Sequence, residues 1–374
     1  MMMVPMAITL LCLLIAVDSF RSSPSLRNSI RVTKSMTMMS SSQQEWELSL
    51  LSPCKINLFL RILGRRPTGY RKLFFYQIIL LYYYLTFTTY FLGGIIDDLA
   101  SLFQAISLSD NMHFNMLDKD ASRDILTCSD TSLSVDGSNL VVKALNLMRN
   151  KTGIKKYFKV HLDKEVPIQA GLGGGSGNAA TAMYAFNKLC GFPASLEDLR
   201  LWSGDIGSDI TFFFTSGTAY CTGRGEIVTS MEPLPESDDT VVHIFKPREG
   251  LSTALVFKTL QLDKVSPASP ESLLEQYKQV GALKSAEAGL LVNDLEPPSF
   301  QCEPVLLRIK ESIAANGALK STKPVISGVM MSGSGMYTFI NIYINIYDYF
   351  KKKGSFSQRA CIYYGYSRYV CVCA

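Results

Sequence analysis

Five glycines within seven residues, placed directly before an alanine-rich helical pattern, constrain this chain more than any other feature. Glycine lets backbone N–H groups approach a polyphosphate closely, in dihedral angles that other residues avoid. The N-terminus of the following helix adds a partial positive charge where the anion binds. A flexible glycine linker is the alternative, but linkers are not typically flanked by a proline and such a helix. We therefore predict a phosphate-binding loop at Gly171, Gly173, Gly174, Gly175 and Gly177.

This loop differs from two common nucleotide-binding loops. It lacks the Gly-Lys-Ser/Thr of a Walker A loop, and no acidic residue follows a strand about 20 residues further on, as a Rossmann unit requires. Ser176 can offer a hydroxyl to a phosphate or a metal ion, and the Asn178 amide can hold the loop in place.

The surrounding pattern predicts mixed helices and strands. Residues 226–335 alternate between helical and strand patterns, which predicts a second domain. Ser195 and Asp198 have the spacing of a capping box, which predicts a helix start. The other predicted elements are two strand runs in 45–63, a turn at 65–70, a helix over 139–151, a strand over 157–162 and a helix from 179 that ends near Gly191.

Several motifs together resemble the GHMP family of small-molecule kinases, and within it the kinases of diphosphocytidyl-methylerythritol. The glycine segment is similar to the family's phosphate loop, and residues 292–298 (VNDLEPP) are also family-like. The resemblance covers residues 45–70 and 97–335. The remaining motifs are SPCKINL at 52–58, GSDI followed by FFF at 207–214, and MSGSG at 331–335.

The resemblance implies an α+β fold of two domains, with ATP and the substrate meeting between them. Residues 45–228 would form the ATP-binding domain, which is like the second domain of ribosomal protein S5. Residues 229–335 would form a ferredoxin-like domain. The implied reaction transfers the γ-phosphoryl group of ATP to the 2-hydroxyl of cytidine-diphosphate-methylerythritol, a step towards isoprenoid precursors that does not use mevalonate.

The resemblance also implies roles for individual residues. Lys55 and Asp209 match the catalytic pair, and Asn139 lies where relatives place an asparagine near adenine. Mg²⁺ is expected as a companion of the phosphates, without a dedicated protein site. The expected phosphate-binding residues are Pro167, Gly171, Leu172, Gly173, Gly174, Gly175, Ser176, Gly177 and Asn178. The expected substrate-binding residues are Asn57, Tyr70, Tyr220, Gly333, Ser334 and Gly335, with the two tyrosines stacking on cytosine.

Two departures from the family pattern stand in these motifs. Gly177 replaces a second serine of the loop, and Thr211 replaces the proline of GSDIP. Neither removes an ionisable catalytic group. Two alternatives remain: another GHMP kinase that acts on homoserine or a mevalonate, and an inactive product of a mis-spliced gene.

Residues 73–96 contain no charged side chain and interrupt the family pattern GYHDLASLFQ. If Arg71-Lys72 is encoded CGT-AAG and Ile96-Asp97 is ATA-GAC, the segment begins and ends with intron signals. Its removal restores a histidine codon and keeps the reading frame. We therefore interpret residues 71–97 as a retained intron. A transmembrane helix is the alternative, but one crossing there would separate Lys55 from Asp209.

The two ends of the chain also depart from a globular pattern. If Gly335-Met336-Tyr337 is encoded GGT-ATG-TAT, a donor-like signal stands before residues 336–374, which lack a globular pattern. This predicts an intron-derived tail. In the leader, residues 6–17 are apolar and 21–39 are basic, serine-rich and free of acids. Residues 1–44 therefore predict a signal peptide followed by a transit peptide, as in secondary plastids. A plain secretory signal is the alternative, but the nine cysteines form no disulfide framework.

The charge distribution gives no case for a nucleic-acid partner. The net charge of +5 lies partly in the leader and in Lys351, Lys352 and Lys353, and the middle of the chain is near neutral. We therefore expect no nucleic-acid partner. The resemblance implies a small-molecule substrate, and the interpretation of residues 71–97 as an intron implies no membrane span in the mature enzyme.

Overall fold

The structure, a computed structural model, describes residues 45–67, 95–235, 240–245, 251–318, 328–333, 339–344 and 370–373. The predicted leader, residues 1–44, lies outside the described residues, and so does most of the predicted insert. Three predicted substrate-binding residues also lie outside them, namely Tyr70, Ser334 and Gly335.

Six strands form the first sheet, in which the long strand β2 is central. Strand β1 pairs with β2 antiparallel along nearly its whole length. The other edge of β2 is shared, because β4 pairs with its end at 111–116 and β5 with its start at 99–104. Strand β3 then pairs with β4, and β6 with β5. The bounds are β1 Leu48–Pro67, β2 Ile95–Met116, β3 Ile125–Cys128, β4 Phe158–Asp163, β5 Thr218–Gly223 and β6 Ile227–Ser230.

Strand β1 corrects two predictions. The two separate strand runs in 45–63 are wrong, and so is a turn beginning at residue 65, because β1 runs unbroken from Leu48 to Pro67. The pairing with β2 shifts register between Pro53 and Cys54 and again near Phe59 and Gly64. Such bulges bend a strand without ending it, so the irregular sequence is absorbed within one element.

Helices cover one face of the first sheet. The predicted helices at 139–151 and 179–191 are confirmed, and the capping box at Ser195 is present. Asn139 caps the first helix by accepting a hydrogen bond from Val141 N, and left-handed Gly153 ends it. The helices, including two short 3₁₀ turns, are α1 Leu140–Thr152, α2 Gly174–Leu189, α3 Leu196–Ser203, 3₁₀ Ser208–Phe214, α4 Thr253–Thr259, 3₁₀ Leu262–Lys264, α5 Pro270–Glu287, α6 Glu296–Cys302 and α7 Val305–Ala318.

The second sheet contains the four remaining strands of the described residues, in the order β10-β7-β9-β8. The β7–β10 pair is parallel, and the β7–β9 and β8–β9 pairs are antiparallel. An alternating apolar segment of any origin can satisfy such a ladder, so the intron-derived tail stays a prediction. The bounds are β7 Thr240–Phe245, β8 Gly328–Met331, β9 Phe339–Ile344 and β10 Val370–Cys373.

Strand β1 belongs to two buried cores that also contain residues of the second sheet. Its side chains Ile56, Leu58 and Phe59 pack with Ile244 and Tyr277, and further along it Leu60 and Ile62 join a core with α4, α6 and β8. A separate core lies between the first sheet and helices α1 and α2. The part of the chain beyond residue 229 is therefore packed directly on the strand that carries Lys55.

A buried ion pair fixes this packing. Arg61 Nε donates to Asp294 Oδ2 at 2.8 Å, and both side chains are almost fully buried. The same carboxylate accepts hydrogen bonds from Ile62 N and Ser266 N. A buried charge with this many partners is satisfied, which explains why the family-like segment 292–298 tolerates an acid inside a core.

Two left-handed glycines give a matched test of the packing. A Cβ at Gly281 (φ +79°), inside α5, would collide with the Pro235 carbonyl oxygen, whereas Gly289 (φ +74°) has open space around it. We expect Gly281→Ala to lower the free energy of unfolding by about 3 kcal/mol. Gly289→Ala should lower it by only about 1 kcal/mol, from strain alone. Urea titration of both variants measures the difference, and equal losses would contradict the described contact.

Candidate active site

A cavity of about 400 Å³ lies at the glycine segment. One wall comes from residues 133–140, including the α1 cap Asn139, and another from Lys164 at the end of β4. The segment 167–178 supplies the floor, so all but one of the predicted phosphate-binding residues line the cavity. The exception is Gly177, which faces away from it.

The loop adopts the backbone that glycine permits. Gly171 (φ +69°) and Gly173 (φ +66°) are left-handed, and helix α2 begins directly after Gly173. The first N–H groups of α2 therefore have no partner within the helix and are free to bind an anion. A Cβ at Gly171 would lie 2.8 Å from the Ser332 carbonyl oxygen. The close approach of this loop to the segment after β8 thus requires glycine.

The replacement of the family's serine at Gly177 fits the local geometry. A Cβ at this position would collide with the Pro53 carbonyl oxygen on β1. Helix α2 can therefore approach β1 closely at the bulge between Pro53 and Cys54.

Asp110 anchors the loop from beneath. This carboxylate on β2 is fully buried, and its Oδ1 accepts hydrogen bonds from Glu165 N at 2.8 Å and Val166 N at 2.7 Å. Its Oδ2 accepts from Lys164 Nζ at 2.5 Å and from Asn178 Nδ2 at 2.8 Å. One carboxylate thus holds the chain before the glycines and the first turn of the helix after them.

Lys55 and Asp209 form an ion pair beside the loop. Lys55 lies on β1, and Asp209 is the second residue of the 3₁₀ helix Ser208–Phe214. Lys55 Nζ is 3.4 Å from Asp209 Oδ2. The lysine side chain is 5% exposed and the aspartate 34% exposed, so the carboxylate alone reaches solvent. Lys55 N also donates to Leu172 O at 2.8 Å, which joins the pair to the glycine segment.

Asn57 links the lysine to the segment after β8. Its Oδ1 accepts from Lys55 Nζ at 3.0 Å, and its Nδ2 donates to Ser101 Oγ at 2.7 Å. Its backbone N–H donates to Ser332 Oγ at 3.1 Å. The carbonyl of Gly333, a predicted substrate residue, accepts from Asn293 Nδ2 at 3.1 Å. Asn57 and Gly333 are thus brought to the same region as Lys55.

Tyr220 is half-buried on β5. Its ring lies 6.4 Å from that of Phe59, and burial raises the pKa of its phenol, with the Glu271 carboxylate adding to the effect. Its predicted partner Tyr70 lies outside the described residues. Burial also raises the pKa of the neighbouring Cys221 thiol to about 12, and Asp209 contributes to that shift. A neutral thiol at this position cannot compete with Asp209 as a base.

The described residues contain neither a metal-binding cluster nor a helix that could span a membrane. No group of three His, Cys, Asp or Glu side chains in this part of the chain is arranged to hold a metal ion. No described helix combines the length and the apolar composition that crossing a bilayer requires.

Sequence analysis missed Asp110 and Phe103. Asp110, Met112 and Phe114 alternate along β2 and are all fully buried, so the period of two could have identified Asp110 as an acid on a core face. Phe103, whose ring lies 4.1 Å from Lys55 Nζ, gave no comparable signal, because Leu102 beside it is buried as well.

Comparisons with known proteins agree with this geometry. Residues 139–217 match the family described as the N-terminal domain of GHMP kinases. A crystal structure of 4-(cytidine 5'-diphospho)-2C-methyl-D-erythritol kinase is similar with a TM-score of 0.57 and 26% identity, over 79% of this chain and 90% of that one. A Methanococcus jannaschii mevalonate kinase shares the fold, with a TM-score of 0.51 and 13% identity, over 83% of this chain and 94% of that one. The fold is that of a GHMP kinase, and the predicted α+β two-domain fold is confirmed.

Relatives with similar sequences indicate which kind of GHMP kinase this chain is. A rice 4-diphosphocytidyl-2-C-methyl-D-erythritol kinase is 44% identical over 84% of this chain and 70% of its own length. The Protochlamydia amoebophila kinase of the same name is 39% identical over 79% of this chain and 84% of its own length. The chain belongs to the 4-diphosphocytidyl-2-C-methyl-D-erythritol kinase family. It spans 66% of the length of the Arabidopsis thaliana relative, which is 46% identical over 77% of this chain.

The Asp110 network predicts a specific loss. Asp110→Asn removes the negative charge that faces Lys164 and points an amide N–H₂ at existing donors. We expect the free energy of unfolding to fall by about 3 kcal/mol. The KM for ATP should rise by a larger factor than the KM for the acceptor. The exposed Asp118, on the turn after β2, gives the matched control Asp118→Asn, which should change stability by less than about 0.5 kcal/mol. Urea titration and steady-state kinetics measure both, and an unchanged KM for ATP would contradict the anchoring role.

Proposed function

We propose that this chain transfers the γ-phosphoryl group of ATP to the 2-hydroxyl of 4-diphosphocytidyl-2-C-methyl-D-erythritol. The observation that carries the proposal is the Lys55–Asp209 pair, which lies 3.4 Å apart beside the glycine loop. The family membership supports the identity of the acceptor. The reaction would supply the pathway to isoprenoid precursors that does not use mevalonate.

The geometry supports a role for each member of the pair. The exposed carboxylate of Asp209 would accept the proton of the substrate hydroxyl as its oxygen forms a bond to the γ-phosphorus. The bond from that phosphorus to the bridging oxygen breaks, and ADP leaves. The Lys55 ammonium would offset negative charge on the transferring group. The N–H groups at the start of α2 would bind the remaining phosphates.

Mg²⁺ fits this site only as a companion of the phosphates. Among the described residues no cage of protein ligands is present, whereas Mg²⁺ commonly takes most of its oxygens from phosphates and water. The Ser176 hydroxyl lines the cavity and would complete the set. The ion would neutralise phosphate charge when bound.

The cytidine half of the acceptor would bind on the side of Tyr220. We propose that Tyr220 and Tyr70 stack on cytosine and that residues 333–335, with Asn57, contact the sugar-alcohol half. Asn139 would contact adenine from the opposite wall of the cavity. Supporting this arrangement, Asn57 accepts a hydrogen bond from Lys55 Nζ, and Asn139 lines the cavity at the glycine loop.

We also propose a plastid location. The plant relatives are named as chloroplastic, and the basic, acid-free composition of residues 21–39 is typical of a transit peptide. The apolar run at 6–17 supports a preceding signal peptide and hence a secondary plastid.

Substitution of the pair tests the function. Lys55→Met and Asp209→Asn should each lower kcat for the cytidylated acceptor by about 10²- to 10⁴-fold, because one removes the cation and the other the base. Asp205→Asn, four residues before Asp209 in an exposed ion pair with Lys151, is the matched control and should keep full turnover. Phosphoryl transfer is measured from labelled ATP, with homoserine and mevalonate as competing acceptors.

Two outcomes would contradict the proposal. Turnover of Asp209→Asn equal to that of the parent chain would remove the aspartate as the base. Faster transfer to homoserine or mevalonate than to the cytidylated acceptor would favour another GHMP kinase.

We propose that the native messenger RNA lacks the codons of the insert. Strands β1 and β2 pair from Ser52 with Asp110 through to Gly64 with Asp98. Joining the chain from residue 70, through the restored histidine, to Asp98 keeps these pairs but removes the partners of Arg65, Arg66 and Pro67, which lie at 95–97. Residues 65–70 and the histidine would then form a short hairpin loop, so the end of β1 beyond Gly64 depends on the insert. The insert therefore lies at a point where its removal disturbs no pair before Gly64. We also propose a different ending after residue 335, because Gly335-Met336-Tyr337 could be encoded by the donor-like GGT-ATG-TAT.

A comparison of two chains tests the splicing proposal. The chain without the insert should melt at a higher temperature and turn over faster, because a long apolar insert promotes aggregation and the family's histidine is restored. Thermal unfolding and phosphoryl-transfer assays are run side by side on both. Equal melting temperatures and turnover would contradict the proposal, as would messenger RNA that uniformly contains the insert.

A further inference from the structure

The Lys55 ammonium is held from three sides. The Asp209 carboxylate lies 3.4 Å away, the Asn57 carbonyl oxygen 3.0 Å away, and the centroid of the Phe103 ring 4.1 Å away. The stem of the lysine is confined as well, because a Cβ at Gly173 would lie 3.1 Å from its Cγ. At 5% exposure, the ammonium has exchanged most of its water for these three groups.

The ring that faces the ammonium is itself fixed. Phe103 is 3% exposed on β2 and meets Phe212 edge to face, with centroids 5.5 Å apart and planes at 78°. Phe212 lies in the same 3₁₀ helix as Asp209, and Phe213 packs edge-on against it at 5.1 Å. The aromatic contacts therefore connect the ring under Lys55 to the element that carries Asp209.

We propose that Phe103 is a positioning residue that holds the Lys55 ammonium beside Asp209 through a cation–π contact, with Phe212 fixing the ring. This inference rests on the proposed kinase function. The negative face of the ring stabilises a cation electrostatically. Unlike a second carboxylate, the ring is neutral, so the net charge of Lys55 stays available for the transferring phosphoryl group.

The position of the ring explains why its loss should affect kcat rather than KM. Phe103 is nearly fully buried behind Lys55 and does not line the cavity at the glycine loop. Without it, the ammonium loses one of three contacts and can turn away from Asp209. Substrates would still bind, but the charge that the transition state requires would be displaced.

Stepwise fluorination of the ring separates this electrostatic role from packing. Phenylalanine, 4-fluoro-, 3,5-difluoro- and 3,4,5-trifluorophenylalanine are placed at position 103, which weakens the negative face while nearly keeping the shape. We expect kcat to fall with each fluorine, by about 3- to 30-fold over the series, while both KM values change less than about twofold. Phe103→Leu, which removes the ring and also changes the packing, should lower kcat at least as far as the trifluorinated variant.

Phe186 provides the matched control. It is fully buried on α2 and packs against Phe158 with centroids 5.4 Å apart. The same fluorinated series at position 186 should leave kcat unchanged. Melting temperatures of all variants establish that each is folded.

The outcomes distinguish this inference from the function on which it rests. A kcat that is flat across the series at position 103, while Lys55→Met abolishes turnover, would overturn the inference and leave the function standing. An equal slope at positions 103 and 186 would also overturn it. Failure of the unsubstituted chain to phosphorylate the cytidylated acceptor would instead remove the proposed function.

Discussion

The rest of this structure depends on strand β1, which is buried on both of its faces. The strand pairs with β2 along its length, packs its apolar side chains into two cores and donates from Lys55 N to the glycine segment. A strand in this position has no freedom to move independently of its neighbours. The phosphate-binding loop, the lysine and the second sheet therefore keep fixed positions relative to one another.

Three cation–carboxylate pairs, each with a buried cation, differ in how far the carboxylate is exposed. In the pairs Arg61–Asp294 and Lys164–Asp110 both charges are buried, and backbone N–H groups satisfy the carboxylates. In the Lys55–Asp209 pair the lysine is buried but the carboxylate is one-third exposed. A buried cation beside a reachable carboxylate is costly for stability alone and suits a site that must exchange a proton.

Local departures from the family pattern are matched by local contacts. Gly177 stands where a Cβ would collide with the Pro53 carbonyl oxygen. Thr211, which replaces a proline, is buried, and its hydroxyl lies 2.9 Å from that of Ser203 on α3. That contact joins the helix that carries Asp209 to the helical layer. Both departures therefore leave the positions of Asp209 and the phosphate loop supported.

The sequence by itself determined the local elements and the phosphate loop. Glycine stands where the backbone is left-handed, at Gly171 and Gly173. Asn139 and Ser195 are residue types that favour the N-cap of a helix, and each caps one. Only the tertiary structure decided which side chains meet. Phe103 reaches Lys55 because β1 and β2 pair in one register, and Ser332 reaches Asn57 across 275 residues of chain. Such contacts depend on the packing of distant elements, and no local pattern of residues encodes them.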